Sequence, residues 1–135
     1  DLNSDLSNFN DQQFDTVIMT QTLQAIRRPD LVLSEMLRVG REAIVTFPNF
    51  AYIRNRTQLG LSGHMPVNPQ LPNPWYDTPN IHLSTFHDFE ELCRTISIKI
   101  LGRDTSNLSG KQTWFGKVWP NLFGEVAVYR LTKEA

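Results

Sequence analysis

The side chains able to do chemistry are few and scattered along the chain. Three histidines, His64, His82 and His87, do not share a metal-ligand spacing, and no cysteine cluster supports them, so no metal is expected. The single cysteine, Cys93, falls on an apolar stripe, where a small core residue is expected rather than a nucleophile. No GxSxG elbow occurs, and no catalytic residue can be named. His82, in the run PNIHL, either orients a substrate at a cleft or pins a loop to backbone. Asn49, directly after Phe47 and Pro48, either meets a substrate at the mouth of a strand or serves turn chemistry, in which Pro and Asn both recur. Arg54 and Arg56 beside Tyr52 fit a solvated helix face as well as an anionic ligand. Trp75, Tyr76, Trp114, Phe115 and Trp119 lie in segments with little regular structure to bury them. Such aromatics recur at binding hot spots. They form a partner surface or fold back over the sheet to close the domain.

The elements that must position these residues follow from periodicity and punctuation. Residues 1–13 are polar, with Asn, Asp and Ser throughout, and read as loop. Phe14 to Thr20 (FDTVIMT) suits a buried parallel strand, covered on both faces, where strict alternation is lost. Residues 21–26 allow a single helical turn. Pro29 and Asp30 open a helix whose apolar stripe includes Leu33, Met36 and Leu37, with Gly40 expected to stop it in a left-handed conformation. A strand over Ala43 to Phe47 follows, closed by Pro48.

Residues 51–61 read as a basic amphipathic helix. Between Gly63 and Asn80 stand five of the eight prolines, which excludes regular helix or central strand and points to a functional or mobile loop. Thr85 and Asp88 form a capping-box pattern for a helix running to about Ile96. The alternating Ile96, Ile98 and Ile100 then predict a strand. Residues 104–123 read as a second long loop, and Glu125 to Thr132 as a last strand.

Composition narrows the function classes. The 135 residues have room for one domain, and 40% hydrophobic with 20% charged residues is ordinary for a globular chain. A net charge of -1 gives no electrostatic reason to expect nucleic acid or an anionic membrane as partner. No apolar run approaches the ~18 residues of a membrane span. No signal peptide is expected, and one cysteine fits a reducing cytoplasm, so a cytoplasmic protein is expected. The sequence starts at Asp1 without an initiator Met, so residues 1–135 are expected to be one incomplete domain.

The order strand–helix–strand–helix–helix–strand–strand resembles the second half of the class I S-adenosylmethionine-dependent methyltransferase fold. The stretches MTQTLQAI, EMLRVGREAIVTFPNF, TPNIHLSTFHDFEELC and WPNLFGEVAVYR resemble, more closely, the MetW family of methionine biosynthesis proteins. The resemblance implies an α/β, Rossmann-like fold with a mostly parallel sheet and a final antiparallel strand. It implies S-adenosylmethionine as cofactor of the full-length protein, across the carboxyl ends of the strands. By this resemblance Asp1 and Leu2 stand at the acidic-apolar pair that meets the adenine, or Asp1 is a solvated terminal residue. Thr20 and Gln21 follow the strand end where the cofactor lies, or serve as a helix-capping Thr and a surface Gln.

Departures from the family pattern bear on that expectation. The glycine-rich cofactor turn has no counterpart: no GxG occurs, and all seven glycines lie at position 40 or beyond. The cofactor-binding half is therefore expected upstream of Asp1, and no cofactor binding is expected of this stretch alone. Ala25 stands where many small-molecule methyltransferases carry a histidine, and Val39-Gly40-Arg41-Glu42 replaces their Pro-Gly-Gly turn.

By the same resemblance, the partner is homoserine O-acyltransferase, with this protein as its accessory. Asn49, Trp75, Tyr76, His82 and Trp119 are then the candidate substrate or partner contacts. The alternative is a methyltransferase acting on a small molecule. Family strand order also leaves Asp15 to Thr20 as an exposed apolar edge, which invites self-association.

Overall fold

The computed structural model describes residues 2–106, 114 and 118–134, with backbone alone for residues 2 and 3. The elements are α1 (Leu2–Leu6), β1 (Phe14–Thr20), a 3-10 turn (Leu23–Ala25), α2 (Pro29–Val39), β2 (Gly40–Pro48), α3 (Ile53–Ser62), α4 (Phe86–Thr95), β3 (Ile98–Ser106), α5 (Pro120–Phe123) and β4 (Val126–Lys133). The strands form one sheet in the order β1-β2-β4-β3.

Among the described strands only β1 and β2 run parallel, joined by the α2 crossover; β4 lies antiparallel to both β2 and β3. This corrects the mostly parallel sheet expected from sequence. Parallel neighbours need a long crossover, and among the described strands α2 alone supplies one. By inserting between β2 and β3, β4 makes the other two pairings antiparallel.

Local signals hold where the chemistry is local. Thr85 accepts from the Asp88 backbone while the Asp88 side chain accepts from the Thr85 backbone, a complete capping box for α4. Strand β3 starts at Ile98 rather than Ile96, because Ile96 caps α4 and Ser97 turns the chain at a positive φ of 58°. The 104–123 region is less irregular than its sequence suggests: β3 extends to Ser106, and Pro120–Phe123 forms the short α5.

Gly40 does not stop α2 in a left-handed conformation; it is extended (φ -118°, ψ 150°) and begins β2. A Cβ there would stand 2.6 Å from Val17 Cγ2, so the glycine serves close packing of β2 on β1. Residues 2–6 form α1 where the polar sequence reads as loop. Their weak propensity is overridden by tertiary anchors. Leu6 packs on the core, and the Arg38 guanidinium donates to the Leu6 and Phe9 carbonyls at 3.0 Å each.

The core fills one face of the sheet. Ala43, Val45 and Phe47 of β2 and Ala127, Tyr129 and Leu131 of β4 are fully buried against Leu33, Met36 and Leu37 of α2 and Phe86, Phe89 and Cys93 of α4. Tyr129 is the aromatic centre, its ring centroid 4.6 Å from Phe89 and 6.0 Å from the parallel ring of Phe47. The opposite face is left open. Ile18 is 64% exposed, its register partner Ile44 is half-buried, and Arg130 beyond it is exposed. Among the described residues strand β1 is therefore covered on one face only, not on both. A run such as FDTVIMT looks the same in either environment.

Candidate functional site

The carboxyl ends of β1 and β2 gather most of the candidate residues. At the end of β1 the chain turns sharply through Gln21, whose φ of 50° is costly for a residue with a Cβ. The turn is held by the Gln21 N–H, which donates to both the carbonyl and the hydroxyl of Thr46 at 3.0 Å. Thr20 and Gln21 are exposed at this rim. Of the other two residues matched to the cofactor, Asp1 lies outside the described residues, and Leu2 begins α1 with its side chain undescribed.

His82 is used to tie a loop down. Its backbone N–H donates to the Gln24 carbonyl at 2.9 Å, and its Nε2 lies 3.1 Å from the Arg27 carbonyl. A carbonyl only accepts, so that nitrogen carries the proton. The 81–84 segment is thereby fixed over the 3-10 turn.

Asn49 is fully buried, and its amide is consumed by backbone. Its Nδ2 donates to the carbonyls of Gly124 at 2.7 Å, Asn121 at 3.0 Å and Pro120 at 3.3 Å, while its Oδ1 accepts from the Ala51 N–H at 3.2 Å. This binds the end of β2 to α5 and to the turn entering β4.

On its other side Asn49 meets residues that sequence reasoning missed. Gln70 Nε2 donates to the Asn49 carbonyl at 3.0 Å and to the Glu125 carbonyl. Asn55 donates to Gln70 Oε1 at 2.6 Å, and Asn68 donates to Asn55 Oδ1 at 2.8 Å. Asn55 and Gln70 are both buried. The signal was present as amide residues inside the proline-rich run. Such side chains can replace the backbone partners that proline denies. The loop is thus pinned along residues 68–71, and Asn49 anchors it and α5 from opposite sides.

The aromatics ride on these two anchored segments. Trp75 and Tyr76 pack edge to face, with centroids 5.6 Å apart, and are 74% and 75% exposed. Trp75 also walls a small cavity of about 80 Å³ with Phe50, Met65, Leu71 and Leu83. Trp119 precedes α5, lies edge-on to Phe123 at 6.2 Å and is 58% exposed. Trp114 is exposed, and Phe115 lies outside the described residues. The described indoles are therefore not folded back into the core.

Titratable groups in the core are held neutral. Burial, then the Glu90 carboxylate that accepts its hydrogen bond at 2.9 Å, pushes the Tyr129 hydroxyl far above its ordinary range. Arg103 donates to the same Glu90 oxygen at 2.7 Å. Burial and the charge of Glu90 push the Cys93 thiol up to about 12, so it is not a thiolate nucleophile. Among the described residues no group of three His, Cys, Asp or Glu is placed to hold a metal ion, and no helix is long and apolar enough to cross a membrane.

Comparison with known proteins bears on this arrangement. The family model for the methionine biosynthesis protein MetW matches residues 1–131. The chain belongs to the MetW family. A bifunctional methionine biosynthesis protein MetXA/MetW from Rhodopirellula baltica is 43% identical over 101 residues, which is 74% of this chain but 16% of that protein. Among solved structures, a Thermotoga maritima S-adenosylmethionine-dependent methyltransferase, described as a possible histamine N-methyltransferase, superposes with a TM-score of 0.59 at 18% identity over 93% of this chain and 59% of its own. The cyclase SpnF superposes with a TM-score of 0.54 at 15% identity, covering 94% of this chain and 53% of its own. The MetW-family chain is thus methyltransferase-like in fold and spans little more than half the length of these neighbours. That a cyclase shares the architecture shows that fold alone does not fix the reaction.

Proposed function

We propose that this MetW-family chain acts as the accessory partner of a homoserine O-acyltransferase, and that Trp75, Tyr76 and Trp119 form its contact surface. The observation that carries this reading is the Rhodopirellula relative, whose name joins MetXA to MetW in one bifunctional methionine biosynthesis protein. The structure supplies a suitable surface. Two segments whose Trp75, Tyr76 and Trp119 side chains are largely exposed are fastened to the same buried Asn49 through Gln70 and Asn121. Ordered, exposed Trp and Tyr can contribute contact area at small entropic cost on binding.

Size-exclusion chromatography and surface plasmon resonance with the purified acyltransferase of the same organism test this. Saturable binding is expected, weakened by about 30-fold in Trp75→Ala or Trp119→Ala if either is a hot spot worth ~2 kcal/mol. Unchanged affinity in both variants would remove the aromatic segments from the interface, and no binding would remove the partner. The open edge of β1 offers a second contact, to another copy of this chain.

The fold favours a second reading, a methyltransferase acting on a small molecule with S-adenosylmethionine. Thr20 and Gln21, with Asp1 and Leu2, would face the cofactor. The described residues do not by themselves fit that group: Thr20 and Gln21 are exposed, and the 135 residues hold no GxG turn. Under this reading the cofactor half comes from residues outside this stretch. Titration calorimetry of the chain with S-adenosylmethionine is expected to give no binding heat, and micromolar affinity would instead place a complete site here.

A further inference from the structure

Exposed apolar side chains recur from Leu59 to Leu83, and three of them, Met65, Trp75 and Leu83, line the cavity of about 80 Å³. Pro66 and Leu71, also in the lining, are buried. The lining thus runs from buried to exposed residues, as in a cavity that opens to solvent. Both of its sides are tied to the end of β2. On the 65–71 side, Gln70 donates to the Asn49 carbonyl at 3.0 Å, and the Leu71 N–H donates to Asn68 Oδ1 at 3.1 Å. On the Leu83 side, the Phe50 N–H donates to the Ser84 carbonyl at 3.0 Å, beside the Asn49–Ser84 bridge. A cavity framed in this way needs little ordering to be filled.

The chemistry of the lining selects what can enter. Its polar members, Asn73, Thr78 and Asn80, are neutral, and the Asn80 N–H is already given to Thr78 Oγ1 at 3.1 Å. Among the described residues no charged side chain lines the cavity, so an ion would lose its water there without gaining a partner. An uncharged aliphatic group meets no such cost. A cavity of ~150 Å³ admits benzene, with its six carbons, so this one suits three or four, the size of a valine or leucine side chain. Trp75 is both a wall of the cavity and part of the proposed contact surface, so a partner that covers the indole also covers the cavity. We infer that the cavity is the socket for one branched aliphatic side chain presented by the homoserine O-acyltransferase. The inference rests on the partnership proposed above and adds to it the chemical character of the anchor. At ~24 cal/mol per Å³, filling the cavity is equivalent to about 25-fold in affinity.

The socket is tested first without the partner. N-acetyl-leucinamide carries the expected side chain on a neutral backbone, and N-acetyl-glycinamide and N-acetyl-lysinamide are its controls. In a nuclear magnetic resonance titration of the ¹⁵N-labelled chain, the leucine probe is expected to shift the amides of Met65, Leu71 and Leu83 saturably. Its dissociation constant should be on the order of 10 mM for so small a ligand, and neither control should saturate. Met65→Trp and Leu83→Trp each add an indole to the exposed part of the lining. Both should abolish the leucinamide shift and weaken acyltransferase binding by about 25-fold in surface plasmon resonance. The leucine probe should also compete with the acyltransferase for the wild-type chain, and the glycine probe should not. The two substitutions lie in different segments, so if one variant folds poorly the other decides. No saturable shift with leucinamide, an equal response to the lysine probe, or full acyltransferase affinity in both variants would overturn the socket and leave the partnership standing. A wild-type chain that takes up leucinamide but does not bind the acyltransferase would overturn the partnership, and this occupant with it.

Discussion

The two faces of the sheet are built by the same alternating strands and meet opposite environments. On one, Phe47, Tyr129 and Leu131 are sealed beneath α2 and α4. On the other, Ile18, Ile44, Thr46 and Val128 stay half-buried or exposed, with Arg130 among them. The covered face specifies the register. A one-residue slip of β2 or β4 would turn Phe47 and Tyr129 outward and bring Thr46 and Arg130 in. The open face carries β-branched residues that suit extended chain. Stability is thus concentrated on one side, and the capacity for new contacts on the other.

The sharpest test of that asymmetry is a pair of substitutions. Phe47→Ala removes a fully buried ring stacked on Tyr129 and is expected to cost about 3–5 kcal/mol in urea denaturation. Ile18→Thr keeps the β-branch on the open face and is expected to change stability by no more than ~0.5 kcal/mol. Comparable losses for the two would mean that the open face is buried in solution.

A pH scan separates the faces without mutation. The covered face holds Cys93 and Tyr129, and both have acid groups raised by burial. The folded state keeps protons that the unfolded chain releases, so this contribution is complete below pH 9.0, where an ordinary thiol titrates. It is lost progressively as pH rises from there towards 12 and beyond. Cys93→Ala is expected to delay the onset of that loss to about pH 10, where ordinary tyrosine titrates; an unchanged alkaline limb would show that Cys93 takes no part in it.

How far this was legible in the sequence follows from the range of each interaction. The capping box at Thr85 and Asp88, the proline start of α2, the core role of Cys93 and the span of β1 are carried by neighbours in the chain, and all can be read from it. Gly40 misleads, because a glycine after an apolar stripe predicts a left-handed stop, whereas its cause is Val17, far back in sequence. The Asn49–Asn55–Gln70 network joins residues up to 75 positions apart and leaves only amides in a proline-rich run as a trace. At the candidate site, position at strand ends is legible for Thr20 and Asn49. Whether a side chain is exposed or consumed by backbone is not, since that depends on where α5 and the 66–71 segment dock.

A smaller effect is expected at the rim where the two faces meet. Gln21→Gly relieves a left-handed backbone held by Thr46 and should stabilise the chain by about 1 kcal/mol, less the extra entropy that glycine gives the unfolded state. Gln21→Val should destabilise it by a similar amount. If both variants leave the urea midpoint unmoved, the turn is not where strain is stored.

The smallest expected change in folding stability carries the most information about assembly. Among the described residues β1 pairs only with β2, so there its outer backbone groups form an edge beside the exposed Ile18. An edge of that kind is a template for another strand, and a charge pointing from it is an effective block. Ile18→Lys should therefore change the folding free energy by no more than ~0.5 kcal/mol. If the edge joins two copies, the same variant should shift the concentration-dependent sedimentation coefficient to that of the monomer. Should wild type and variant sediment alike as monomers at every concentration, β1 is not a self-association edge, and the asymmetry of the sheet would then concern stability alone.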